Sequence, residues 1–230
     1  MALFQGETYK HRRELAPTQS RVFALDLAIF CFFQKGVWVG MSGERPPETP
    51  PKLLLSGAPG TGKTTLLAQL ARELGDKATG FYTVEIRQSG RRRGFELVSL
   101  TSSLRTTLAS VDYSSSYRVS RYGVRPETLD PFLEELEEAL NSGDPKCIIL
   151  DEIGKMELFS DQFRKTVLQV MEAPLPVVAT IMAKPEPFCD KLKKRPETTR
   201  WELTVENREQ VYYRIRSTVF DYLGLPLTQP

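Results

Sequence analysis

From Lys52 onward, short unbroken apolar runs alternate with amphipathic stretches of helical period. Leu53-Leu54-Leu55 reads as a buried strand ending at Gly57, and Leu66, Leu67, Leu70 and Leu74 form one face of a following helix that Gly75 stops. Phe81–Ile86 and Phe95–Leu100 flank the turn-rich Gln88-Ser89-Gly90 and predict a hairpin. Residues 101–117 are rich in Ser and Thr and read as loop. A helix starts at Asp130-Pro131, carries Leu133, Leu136 and Leu140, and ends before Gly143. Cys147-Ile148-Ile149-Leu150 and Val177–Ile181 are apolar without a break, as strands covered on both faces are. Ser160 caps a helix with Phe163, Val167 and Val170. Trp201-Glu202-Leu203 reads as a last short strand, and a closing helix carries Val211, Ile215 and Val219. Alternating strands and helices with fully apolar strands predict an α/β fold around a mostly parallel sheet, with helices on both faces.

Two of the junctions carry chemistry. Gly57-Ala58-Pro59-Gly60-Thr61-Gly62-Lys63-Thr64 sits between the first strand and the first helix and matches GxxxxGK[ST]. Glycines let backbone amides approach a phosphate, and the helix N-terminus adds partial positive charge. Lys63 reaches the β- and γ-phosphates, and the Thr64 hydroxyl is placed to ligate Mg2+. The bland alternative is a Gly-rich turn that merely joins strand to helix; the full motif set between an apolar strand and an amphipathic helix favours the phosphate loop. At the second junction, four apolar residues set Asp151 at the C-terminal end of a central strand, the edge where open α/β sheets bind ligands. Asp151 is read as holding Mg2+ through water. Glu152, directly beside it, is read as the general base that orients and polarises an attacking water.

Composition narrows the chemistry further. The only histidine is His11, in the basic stretch Lys10–Arg13, so the body of the chain has no Ser-His-Asp triad, Cys-His pair or histidine-held metal. Cys31, Cys147 and Cys189 are far apart and form no CxxC, which suits a reducing compartment, the cytoplasm. Lys and Arg total 31 against 29 Asp and Glu, a net charge of +2, so neither nucleic acid nor an anionic membrane is an expected partner.

The stretch Asp151-Glu152-Ile153-Gly154-Lys155-Met156-Glu157-Leu158-Phe159-Ser160, with the phosphate loop Gly57 to Thr65 and the hairpin strand Gly80–Arg87, resembles the cancer-related nucleoside-triphosphatases of animals. These belong to a family of small P-loop NTPases also found in thermophilic bacteria and archaea. Arg91–Phe95, Arg118–Tyr122 and Thr204–Arg208 extend the resemblance to nearly all of the chain after Lys52. The family usually has Gly before the basic residue and Tyr, where this chain has Ser120. The resemblance implies a RecA-like P-loop domain with a β-hairpin insertion. It also implies Mg2+-dependent hydrolysis of nucleoside triphosphates such as ATP and GTP to diphosphates, with tolerance of the base. The phosphate-binding set is then Gly57, Ala58, Pro59, Gly60, Thr61, Gly62, Lys63, Thr64 and Thr65.

A transferring phosphoryl group needs further positive charge. Arg87, Arg92, Arg121 and Arg208 are the candidates, and Arg121, within the matched Arg-Tyr element, is the first choice for catalytic work beside Lys63 and Glu152. Thr180 is a candidate γ-phosphate sensor. Lys155 and Glu157 either shape the phosphate site or pair with each other. Phe81, Tyr82 and Tyr122 are candidates for base stacking, with core packing the favoured role. Two rival functions use the same residues: a nucleoside or nucleotide kinase, and a nucleotide-regulated binding module. The adjacent carboxylates favour hydrolysis.

Residues 1–51 read as an N-terminal extension and Pro-rich linker, and 52–230 as the P-loop domain, a monomer by preference. The run Val22–Phe33 is short for a membrane span and is interrupted by Asp26. Basic residues followed by an apolar run also fit an organelle-targeting segment, a reading that Glu7, Glu14 and Asp26 weaken. Residues 1–40 are expected to contribute nothing to catalysis, with Met41 as the true or an alternative start.

Overall fold

The structure, a computed structural model, describes residues 49–144 and 146–227. The extension up to residue 48, with His11, Cys31, Met41 and the Val22–Phe33 run, lies outside the described residues. Fourteen strands and helices follow: β1 (Lys52–Ser56), α1 (Lys63–Leu74), β2 (Ala78–Gln88), β3 (Arg91–Ser99), β4 (Arg105–Ser110), β5 (Arg118–Val119), β6 (Tyr122–Val124), α2 (Asp130–Asn141), β7 (Cys147–Ile153), α3 (Asp161–Glu172), β8 (Val177–Ile181), α4 (Pro187–Lys193), β9 (Thr198–Glu202) and α5 (Arg208–Leu223). The strands form one sheet in the order β5-β6-β4-β3-β2-β7-β8-β1-β9.

The five strands from β2 to β9 are parallel, and those from β2 to β5 antiparallel. Strand β2 belongs to both parts. Its first residues pair with β7, and the rest forms the expected hairpin with β3. Ser89 and Gly90 close that hairpin with φ of 49° and 75°. Two successive positive φ values give a turn whose twist matches the flanking strands.

The apolar strands read as covered on both faces are so covered. Along β1, Leu54 packs in one core while Leu53 and Leu55 pack in the other. Along β7, Ile148 and Leu150 face the first core, Cys147 and Ile149 the second. Helices α2, α3 and α4 cover the first face with Phe132, Leu136, Phe163, Val167 and Leu192. Helices α1 and α5 cover the second with Leu67, Leu70, Val211, Ile215 and Val219. Ser160 accepts the Phe163 amide at the start of α3, as expected.

Two elements depart from the sequence reading. Residues 101–117 are not all loop, because β4 runs through their middle. Leu108 and Ala109, fully buried, supply the apolar anchor, and β-branched Thr106 and Thr107 suit a strand. The hydroxyls before it do form a loop, since Ser99, Thr101 and Ser102 all donate to the Glu135 carboxylate on α2. Helix α4 was not foreseen. The Glu186 side chain caps it by accepting the Cys189 amide, and Pro187 fits its first turn.

A buried lysine ties β1 to the end of α3 and the chain that follows it. Lys52, 3% exposed, donates to the carbonyls of Val170, Ala173 and Leu175 at 3.1, 2.8 and 2.8 Å. Val170 lies in the last turn of α3, whose carbonyls lack helical partners, and Ala173 and Leu175 follow that helix. Burial pulls the ammonium down to about 8. Bonds from a charged donor, worth about 1.5–3 kcal/mol each, offset that burial. On the opposite face, Glu73 near the end of α1 accepts from the Tyr212 hydroxyl and pairs with Arg216, both on α5. The Arg216 guanidinium also lies 4.6 Å from the centre of the Phe220 ring. Among the described residues no helix is long and apolar enough to cross a membrane.

Candidate active site

The loop between β1 and α1 lies at the C-terminal edge of the parallel strands. Gly57 has φ 155°, and a Cβ there would come within 2.4 Å of the Leu203 carbonyl oxygen, so only glycine fits between the loop and the chain leaving β9. Gly62, with φ 95° at the N-cap of α1, lets the loop turn directly into the helix. Thr61 is buried, and its hydroxyl donates to the Ala58 carbonyl at 3.0 Å. The Lys63 ammonium folds back over the loop, donating to the carbonyls of Gly57 and Ala58 at 2.9 and 3.1 Å. Ala58, Pro59 and Gly60 form the exposed crest, and Thr65 is exposed in the first turn of α1.

Asp151 is the hub. Its carboxylate accepts from the Thr64 hydroxyl at 2.6 Å and from the Thr180 hydroxyl at 2.5 Å, one on each oxygen. Its carbonyl accepts from the Thr83 hydroxyl. The first turn of α1, the end of β8 and strand β2 therefore meet at the end of β7. Asp151 is 2% exposed. Burial drives its carboxyl above the usual range, opposed by the Thr180 and Thr64 bonds and by the Lys63 charge. Glu152 is partly buried beside it. Burial first, then the neighbouring Asp151 charge, raise its carboxyl, and Lys63 opposes them. A carboxylate of raised pKa is a stronger proton acceptor when ionised.

The structure sorts the remaining candidates. Thr180 is fully buried on Asp151. The described contacts of Arg121 lie in the antiparallel part: its guanidinium donates to the Arg92 carbonyl at 2.7 Å and to the Tyr122 hydroxyl at 3.2 Å, and lies over the Tyr122 ring. Five strands lie between β6, next to it, and β1. The geometry thus gives no support to a catalytic role for Arg121. Arg87 and Arg92 both pair with Glu85 on the hairpin. Arg208 is the candidate that approaches the loop, its Cδ and Nη1 both 3.9 Å from the position of a Cβ on Gly62. Phe81 and Tyr122 pack edge-on against Phe132 and Phe95, as core residues. Ser120 has φ 55° in the turn between β5 and β6, a left-handed conformation that glycine adopts at less cost.

Lys155 and Glu157 do not pair. Lys155 is exposed and lines a separate cavity of about 370 Å3 with Arg118, Arg164 and Glu186. Glu157 is 5% exposed, and its Oε2 and the Glu152 carboxyl flank Gly154. Burial, with the charges of Glu152 and Asp151, pushes its carboxyl up to about 8, against bonds from its own amide and that of Gly154. The signal was present in the sequence: an acid set among Met156, Leu158 and Phe159. Between its ordinary 4.5 and about 8, folded Glu157 keeps a proton that the unfolded chain releases, so its contribution to stability falls as pH rises through that window. Each unit of separation is worth about 1.4 kcal/mol. Glu157→Gln removes the titration. Denaturant midpoints from pH 5 to pH 9 should therefore move in favour of the variant as pH rises, whatever the offset at pH 5. A constant difference would contradict the raised carboxyl.

Known proteins resemble the chain in sequence and in fold. The model of the family described as NTPase matches residues 52–216. The nucleoside-triphosphatase THEP1 of Natranaerobius thermophilus is 41% identical over 176 residues, covering 76% of this chain and 99% of that protein. THEP1 of Thermotoga maritima is 40% identical over 169 residues, 73% of this chain and 95% of its own. Among solved structures, THEP1 from Aquifex aeolicus superposes with a TM-score of 0.67 at 36% identity, covering 73% of this chain and 98% of that one. The solution structure of a human cancer-related nucleoside triphosphatase gives 0.62 at 33% identity, covering 72% and 95%. With its phosphate loop, its Asp151 hub and these relatives, the chain belongs to the NTPase family and is a nucleoside-triphosphatase of the P-loop α/β fold.

Proposed function

We propose that this NTPase is Mg2+-dependent and base-tolerant, and that Glu152 is its general base. The observation that carries this reading is the meeting of Thr64 and Thr180 on the Asp151 carboxylate, with Glu152 the next residue along the strand. Hydrolysis of a nucleoside triphosphate on a phosphate-binding loop uses a divalent ion. The donor set fits a small hard one, since Thr64 and Asp151 offer hydroxyl and carboxylate oxygens 2.6 Å apart. Among the described residues no cluster of three His, Cys, Asp or Glu side chains is formed to hold an ion alone. Thr64 and Asp151 would hold it jointly with phosphate oxygens and water. When bound it neutralises charge on the β- and γ-phosphates.

Lys63 and the backbone amides of residues 57–65, apart from Pro59, which has none, bind the phosphate oxygens. Glu152 accepts the proton of a water whose oxygen bonds to the γ-phosphorus. The bond from that phosphorus to the β–γ bridging oxygen breaks, and the products are the nucleoside diphosphate and inorganic phosphate. The catalytic domain in this reading is residues 52–230, supported by the family match and by the course of α5 to Leu223, with 1–51 as an extension. A cytoplasmic monomer with no nucleic-acid or membrane partner is the setting we favour. The free, buried Cys147 and Cys189 support a reducing compartment.

Phosphate release from ATP, GTP, CTP and UTP, with and without Mg2+ and with candidate acceptors added separately, tests the reading. All four should be hydrolysed in a Mg2+-dependent way with kcat/KM within about tenfold, far from the ~10^4 discrimination that hydrogen-bonded readout gives. Transfer to an acceptor in place of release would favour a kinase, and preference for one base by thousands would end the claim of tolerance.

A further inference from the structure

The order of strands around the phosphate loop fixes the direction of a bound triphosphate. Going outward, the sheet runs β7, β8, β1, β9. Asp151 and Glu152 stand on β7 and Thr180 on β8, all to one side of the loop that follows β1. On the reading above, the terminal phosphate faces that side. The α-phosphate and nucleoside must then extend the other way, toward the chain leaving β9.

That chain is held rigidly against the loop. The Leu203 amide donates to the Ser56 carbonyl at 2.7 Å. Thr204 and Asn207 close a reciprocal turn: the Thr204 amide donates to Asn207 Oδ1 at 2.9 Å and the Asn207 amide to Thr204 Oγ1 at 3.2 Å. Asn207 Nδ2 donates to the Glu202 carbonyl at 2.9 Å. The turn displays two side chains. Val205 is 60% exposed, an apolar group with no packing role. Arg208 stands at the first turn of α5, its Cδ and Nη1 beside Gly62.

We infer that Val205 and Arg208 form the nucleoside subsite, the guanidinium against the face of the base and Val205 as its apolar wall. This rests on the assignment of Asp151 and Glu152 to the γ-phosphate end. A guanidinium attracts the π-face that every base has, and stacking of this kind is tolerant of sequence. The polar side chains of Thr204 and Asn207, which would otherwise read base edges, are bonded to the backbone of the turn. Broad base tolerance follows from that engagement.

The test is steady-state hydrolysis of ATP and of ribose 5′-triphosphate, which lacks a base, by the full chain, Arg208→Ala and Val205→Ser. Both side chains are on the surface, so the variants fold. The parent should show a KM for ATP about tenfold below that for ribose triphosphate. Arg208→Ala should raise the ATP value about tenfold, leave the ribose triphosphate value within twofold and change kcat little. Val205→Ser should act in the same direction by about threefold. An equal rise for both substrates in Arg208→Ala would make Arg208 a phosphate contact and overturn the subsite, and no change for either would remove this corner from substrate binding. A parent that hydrolyses neither substrate would instead sink the underlying hydrolase assignment, before any variant is measured.

Discussion

Lys63→Ala is expected to abolish turnover and to weaken binding of nucleoside triphosphate by about 100-fold or more. The ammonium is the one cation that the loop sequence itself supplies, and it lies over the loop on the carbonyls of Gly57 and Ala58. Each charge-assisted bond to a phosphate oxygen is worth about 1.5–3 kcal/mol, and Lys63 reaches two phosphates. The fold should survive. Helix α1 is anchored by Leu66, Leu67, Leu70 and Leu74 in the core, and alanine is the best helix former. Fluorescent-nucleotide titration with a parallel thermal melt separates the two effects. A folded variant that binds and hydrolyses ATP as the parent does would remove the loop from the site.

Glu152→Gln should divide binding from chemistry. Glutamine keeps the shape and the hydrogen-bonding capacity of the side chain but cannot accept the water's proton. Loss of a general base lowers kcat by about 10^2–10^4-fold. Nucleotide affinity should stay within about threefold of the parent, since the role proposed for Glu152 is on water and not on phosphate. The pH profile gives a second readout. Glu152 works when ionised, so activity falls as pH drops through its pKa. Burial and Asp151 hold that pKa above the ordinary carboxylate value, so the acid limb should lie higher than for an exposed glutamate. That limb should vanish from the residual activity of the variant. Retained turnover would move the base elsewhere, and lost binding would recast Glu152 as a metal ligand.

What could be read from the chain, and what could not, follows physical lines. Strands covered on both faces announce themselves as unbroken apolar runs, so β1, β7 and β8 were legible, as was the amphipathic α1. The loop was legible because glycine, lysine and threonine at fixed spacing have little reason to occur together otherwise. Strand β4 was hidden because its anchor, Leu108-Ala109, is two residues long and set among hydroxyls that suit turns equally well. The arginines divided on different grounds. Their sequence neighbourhoods are alike, and only the fold shows that Arg121 is held over Tyr122 while Arg208 is carried to Gly62 by the chain leaving β9. Thr83 and Thr180 reach Asp151 across two different strand pairs, a convergence with no trace in local spacing. Their neighbour Glu157 had a local trace, an acid in an apolar turn, but its burial needed the turn after β7 to fold inward.

The ties between α1 and α5 bear on how this corner of the enzyme can change over time. Helix α1 starts at Lys63, and Glu73 lies ten residues along it, about 15 Å from the loop. There it holds Tyr212 and Arg216, so α5 is clamped by its second and third turns while Arg208 projects from its first. The position of Arg208 thus rests on the turn before α5 and on the packing of that helix against α1, to which this distant polar clamp contributes. Drift at Glu73, far from any substrate, would be felt as a change in substrate handling, whereas replacement of Val205 or Arg208 alters the surface offered to the nucleoside without loosening the helix. Lineages that retune substrate preference have the exposed pair open to them, and the clamp is the position where neutral-looking exchange carries a hidden cost.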